Sequence, residues 1–89
     1  MGLITFDGIA QQYLQEKNSG NRRIPRSVYG KMIYQYCKEK GIRWFSARKV
    51  KFHPELAKLL TLGQIRQAFV YLNEKGMVIK NGDGWRMLI

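Results

Sequence analysis

A mainly α-helical domain closed by a small antiparallel sheet is the fold predicted for this chain of 89 residues. Three observations predict it. Apolar residues recur at helical spacing in three separate stretches, each ended by glycine or a polar cluster containing it. The C-terminal segment reads MVIK, then NGDG, then WRMLI, the pattern of a short two-stranded hairpin. A hydrophobic fraction of 45% is that of a folded globule, and at this length one core forms without cross-links or metal.

The first helix is predicted over residues 6–18, where Phe6, Ile9, Ala10, Tyr13 and Leu14 share a stripe. Thr5 or Asp7 serves as N-cap, Asn18-Ser19-Gly20 stops the helix, and Gly8 slightly weakens its first turn. NSGNRRIPR follows as a polar, basic connector. Pro25 suits the first turn of a second helix, because the amide it lacks has no helical partner there. Tyr29, Met32, Ile33, Tyr36 and Cys37 form that helix's apolar stripe, Lys31, Lys38 and Lys40 line its other side, and Gly41 caps it. IRWF, residues 42–45, suits a brief strand. Ser46 then caps a short helix over ARKVK. In the following FHPELAKLL, Pro54 breaks a helix at His53, and PELAKLL restarts one for a turn or two.

The third stripe lies in TLGQIRQAFVYLNEKG, residues 61–76. Thr61 and Gln64 make a capping box, in which the hydroxyl takes the amide of residue 64 and the Gln side chain reaches back to residue 61. Leu62, Ile65, Ala68, Phe69 and Leu72 fall on one face, and Gly76 sits at the left-handed cap. Gly63, Gln64, Arg66, Gln67, Val70 and Tyr71 point outward, giving a face rich in hydrogen-bonding groups and nearly free of acids. In the hairpin, Asn81-Gly82 and Asp83-Gly84 are both strong turn pairs, and Lys80 and Arg86 flank its tip.

Sixteen Lys and Arg against six Asp and Glu give a net charge of +10. A small domain with that charge repels itself, and binding a polyanion relieves the repulsion. A generally basic proteome or an acidic protein partner accounts for the same charge. The densest cluster is Arg22, Arg23 and Arg26, with Lys17 just upstream, and phosphate contact is its expected role. No apolar run approaches the roughly 20 residues of a membrane-spanning helix, and MGLITFDG lacks the features of a secretion signal. An intracellular protein, cytoplasmic and nucleoid-associated, is expected. Cys37 is the one cysteine, lies on an apolar stripe, and reads as an inert core thiol. His53 is the one histidine and the six acids are scattered, so neither a zinc site of ordinary spacing nor a phosphate-binding glycine motif is present. The expectation is a protein that is not an enzyme and has no cofactor.

A helix with one apolar face and one amide-rich face that runs directly into a hairpin resembles the recognition helix and wing of the winged helix-turn-helix superfamily. The resemblance covers roughly residues 25–89, in the order helix, strand, helix, helix, hairpin. Its most specific part is the Leu62-Ile65-Phe69-Leu72 stripe followed by GMVIK and the glycine-rich turn. It implies one winged-helix domain over 1–89, with residues 1–20 as a helical extension and with IRWF pairing with the hairpin. The helix before the recognition helix is either 47–52 with an enlarged connector, the preferred reading, or 54–60 with a tight turn.

The resemblance further implies duplex DNA as partner and transcriptional regulation as role. Gln64 and Gln67 would read adenine edges and Arg66 guanine or a phosphate, with Tyr71 and Val70 further along the 61–75 helix. Lys80 and Arg86 on the 77–89 wing, with Arg48, Lys49 and Lys51, would hold the backbone. Extensions like the N-terminal helix often mediate dimerisation in related proteins, through Phe6, Ile9 and Tyr13 here, or the helix packs on its own core. Two other roles stand beside this one. The first is a single-stranded DNA or RNA-binding accessory of a replication, recombination or ribosomal assembly, with Trp44, Tyr34, Tyr71 and Trp85 as stacking candidates. The second is a winged-helix protein-interaction module with an acidic partner.

Overall fold

The structure, a computed structural model, describes residues 5–20 and 24–88; Arg22 and Arg23, named as phosphate contacts, lie outside the described residues. Among the described residues, five helical elements and three strands follow one another: α1 (Phe6–Asn18), α2 (Arg26–Lys40), β1 (Trp44–Phe45), a 3-10 helix (Ala47–Phe52), α3 (Pro54–Ala57), α4 (Leu62–Glu74), β2 (Val78–Asn81) and β3 (Gly84–Met87). The strands form one antiparallel sheet in the order β1-β3-β2. A mainly α protein with a small antiparallel sheet is therefore what the chain forms.

The Thr5 side chain caps α1 by accepting from the Gly8 amide at 3.1 Å. Phe6, Ala10 and Tyr13 are buried against the rest of the chain. Phe6 meets Tyr36 edge-on at 5.1 Å, Tyr13 meets Tyr29 edge-on at 6.0 Å, and the Tyr13 hydroxyl donates to the Leu59 carbonyl at 3.1 Å. This corrects the dimerisation reading of these residues. Phe6 and Tyr13 are consumed by the chain's own core, and Ile9 is half-buried beside them.

All five residues of the expected α2 stripe are buried, and Gly41 closes the helix with φ 71°. Pro25 sits at the cap position, one residue earlier than expected. Cys37 is fully buried, and burial pushes its thiol up to about 12, so it stays protonated and unreactive at neutral pH.

The stretch 46–60 departs most from expectation. Ser46 precedes the 3-10 helix but makes no side-chain cap bond; it is buried instead. His53 is a core joint, with Nδ1 3.0 Å from the Tyr36 hydroxyl and its ring against Tyr36 and Phe45. Pro54 opens α3 at the position where its missing amide costs nothing. Leu56 and Leu60, one turn apart, then anchor the segment in the core. The helix directly before α4 is thus α3 with a short turn, not the 47–52 segment with an enlarged connector. The Leu60 amide donates to the Leu56 carbonyl at 2.9 Å, the helical bond that sets both leucines on one buried face.

The α4 capping box has both arms, Thr61 N to Gln64 Oε1 at 2.9 Å and Gln64 N to Thr61 Oγ1 at 3.2 Å. Ile65, Ala68, Phe69 and Leu72 are fully buried, whereas Leu62, placed on the same stripe, is exposed at the helix start. Phe69 lies between Phe45 (5.7 Å) and Trp85 (5.9 Å), which fastens α4 to the sheet. Burying each such side chain contributes about 1.5–3 kcal/mol.

Asn81 pairs with Gly84, so the hairpin loop is Gly82-Asp83. Gly82 has φ 63°, and among the described residues no non-glycine residue has positive φ, which suits a loop with glycine at its first position. Gly84 is needed for a different reason. A Cβ there would stand 2.5 Å from Trp44 Cζ2, because the indole lies across it and donates to the Asn81 carbonyl at 3.0 Å.

Candidate nucleic-acid interface

The exposed surface of α4 divides by neighbour. One flank faces α2. There Gln64 Nε2 donates to the Tyr29 hydroxyl at 3.3 Å while Gln64 Oε1 holds the cap, so both ends of this side chain are engaged within the chain. Burial pushes the Tyr29 phenol above its ordinary value, which keeps its hydroxyl protonated. Tyr71 lies on the same flank, half-buried against Gly30, where an added Cβ would stand 2.6 Å from its ring. Gln64 and Tyr71 are therefore structural residues of the α2–α4 contact, a correction to their assignment as base readers. Gln67 lies on the exposed ridge between the flanks.

The other flank faces the hairpin, and here the chain leaves space. Arg66 and Val70 of α4, Ala47 and Arg48 of the 3-10 helix, and Lys80, Gly82, Asp83 and Trp85 of the hairpin line an open depression of about 460 Å³. Three cations from three different elements converge on it, against the single carboxylate of Asp83. Among the described residues, no ion pair ties Arg48, Arg66 or Lys80 to an acid. The Lys80 ammonium is 4.8 Å from the centre of the Trp85 ring, and both residues line the depression.

Other expected phosphate contacts are placed differently. Arg26 Nη2 is 2.9 Å from Glu74 Oε2, tying the start of α2 to the end of α4, so phosphate would have to displace a carboxylate there. Arg86 does not share the tip with Lys80. Lys80 pairs with Trp85 and Arg86 with Ile79 and Trp44, so alternation along the strand sends Arg86 to the opposite face of the sheet. Lys49 and Lys51, on the 3-10 helix, border a second depression beside the first, together with Trp44, Arg48, Phe52 and Asp83.

Of the proposed stacking aromatics, Tyr34 is half-buried with its hydroxyl on the Leu88 carbonyl (3.3 Å), and Trp85 is stacked on Phe69. Trp44 is exposed. Phe52, not among those candidates, is the most exposed of the large apolar side chains among the described residues, at 64%. Its signal was an aromatic closing the basic run RKVKF with no apolar stripe to claim it.

Among the described residues no group of three His, Cys, Asp or Glu converges as metal ligands would, and no helix is long and apolar enough to cross a membrane. Set against family models, curated proteins and solved structures, the chain matches none.

Proposed function

We propose that the chain is a winged-helix protein that binds duplex DNA in the depression between α4 and the hairpin, as a regulator of transcription. The convergence of Arg48, Arg66 and Lys80 on that depression carries the reading. The arrangement of elements supports it. α2, β1, α3, α4 and the hairpin follow one another in the order the superfamily uses, with β1 pairing with β3 as the third strand.

The division of labour follows from position. A helix of thirteen residues is about 20 Å long, and an α-helix fits the major groove, roughly 12 Å wide. The first turns of α4 show Gly63, Arg66, Gln67 and Val70 outward without an acid among them. Gln67 offers the bidentate donor–acceptor pair that matches adenine, and Arg66 matches guanine or a phosphate. Glycine at position 63 lets groove walls approach closely. Arg48 and Lys80 hold the sugar-phosphate backbone on either side.

Fluorescence anisotropy with labelled duplex DNA, single-stranded DNA and RNA at two salt concentrations tests the reading. Preference for duplex, with affinity falling steeply as salt rises, is expected. Equal binding to all three, or none at low salt, overturns it.

A further inference from the structure

The 3-10 helix carries, beyond Arg48, an arrangement that the proposed duplex site does not use. Its six residues hold three cations and no acid, and they end on Phe52 with Lys49 and Lys51 beside it. In a 3-10 helix residues three apart eclipse, so Lys49 lies over Phe52 and Arg48 over Lys51. The Lys49 ammonium is accordingly 5.5 Å from the Phe52 ring centre, and Lys51 flanks the same ring at 5.3 Å. The ring is 64% exposed and lies outside the core. Trp44, itself 39% exposed, is fixed across Gly84 by its bond to the Asn81 carbonyl and lines the same depression, of about 380 Å³. Arg48 and Asp83 border both this depression and the one beside α4, so the two adjoin.

An aromatic face set between ammonium groups suits a ligand with a flat π-system and negative charge on either side. An unpaired nucleotide has both. Its base stacks on the ring and its phosphates replace the ring as partners of Lys49 and Lys51. Base pairs within an intact duplex present only edges in the grooves, because their faces are covered by neighbours. We infer that Phe52 and Trp44, with Lys49 and Lys51, form a binding site for an unpaired nucleobase and its flanking phosphates, adjoining the duplex site. The protein then grips the junction where duplex gives way to a single strand. The inference deepens the proposed function and rests on it for the duplex arm.

Anisotropy with one duplex in four forms tests it: blunt, with a short DNA overhang, with the same overhang in RNA, and with an abasic overhang that keeps the phosphates alone. The DNA or RNA overhang should tighten binding by about tenfold, since stacking one base on an aromatic is worth roughly that factor or more. The abasic overhang should give a clearly smaller gain. Phe52→Ala should remove the difference between base-bearing and abasic overhangs, leave blunt-duplex affinity unchanged, and fold as the parent does, the ring being exposed. Phe52→Tyr should keep the difference. A gain as large with the abasic overhang, a gain that survives Phe52→Ala, or no gain from any overhang overturns the inference. Failure of the duplex reading is separately visible: Arg66→Ala with Lys80→Ala would then leave blunt-duplex affinity unchanged, whatever the overhang does.

Discussion

The two flanks of α4 start from the same kind of side chain and end in opposite states. On the α2 side, Gln64 and Tyr71 are held within the chain, one by two hydrogen bonds and one by close packing on Gly30. On the hairpin side, Arg66 faces an open depression with Arg48 and Lys80 and meets only Asp83 as a counter-charge. A polar group with internal partners adds to stability and gains little from a ligand, whereas an unpaired cation does the reverse. The difference separates stabilising from binding residues on one helix, and each flank can be perturbed alone.

The largest effect is expected on the open flank. Arg66→Ala should weaken duplex binding by about 1–3 kcal/mol and relax sequence preference, if the guanidinium reads a base edge. Lys80→Ala should weaken binding evenly across sequences and lower the slope of log affinity against log salt by about 1. Thermal unfolding of Arg66→Ala should match the parent, because among the described residues this side chain has no ion pair to lose, and Lys80→Ala should cost only the contact of its ammonium with the Trp85 ring, about 0.5–1 kcal/mol. Salt-dependent anisotropy beside a melting curve checks both halves, and a melting shift without a binding change would reverse the assignment of the flanks.

The next effect belongs to the closed flank and should appear only in stability. Gln64→Ala removes the bond to the Thr61 amide and the bond to the Tyr29 hydroxyl, for about 1 kcal/mol in all. Denaturant midpoints measure the loss. Duplex affinity of the folded variant should equal that of the parent, and a drop comparable to that of Arg66→Ala would show that Gln64 meets the ligand after all.

What the sequence made legible divides along the same line. Helices α1, α2 and α4 were readable because their stripes, caps and terminal glycines are local signals, all within one or two turns of each other. The stretch 46–60 was not, because its structure depends on distant partners: His53 on Tyr36 and Phe45, Tyr13 on the Leu59 carbonyl. A helical wheel shows that Gln64, Arg66 and Tyr71 point outward, but not which neighbour each one meets; only the placement of α2 and the hairpin decides that. The separation of Arg86 from Lys80 was legible. Counting back from the Gly82-Asp83 loop pairs Lys80 with Trp85, and the period of two then sends Arg86 to the other face. Phe52 was not read as a stacking residue because an exposed aromatic inside a basic run carries no periodic signal.

A smaller change is expected from Arg26→Ala. This guanidinium is already paired with Glu74, both side chains about half exposed, so stability should fall by only about 0.2–1 kcal/mol. Its effect on duplex affinity should be well below that of Arg66→Ala, because any phosphate would compete with the carboxylate. A loss as large as that of Arg66→Ala would extend the binding surface to the far end of α4.

The subtlest effect lies away from both flanks, where α1 docks on α2. Glu39 Oε2 accepts from Gln35 Nε2 at 2.9 Å and from the Phe6 amide at 2.7 Å, and these bonds, the Gln35 bond foremost, hold its carboxyl below the ordinary value of 4.5. A carboxyl depressed on folding stabilises the folded state above its unfolded pKa, and that contribution is lost as pH falls through the lower, folded value. The anchoring of α1 should therefore be constant from neutral pH down to about 4.5 and loosen only below it. Following the Phe6 amide resonance during an acid titration checks this, with a midpoint below 4.5 expected. Glu39→Gln should flatten that titration while leaving the Gln64–Tyr29 contact and the Arg66 flank untouched, since neither depends on where α1 begins. A midpoint above 4.5 would mean that the amide bond is not formed in solution, and that Phe6 is held by its ring on Tyr36 alone.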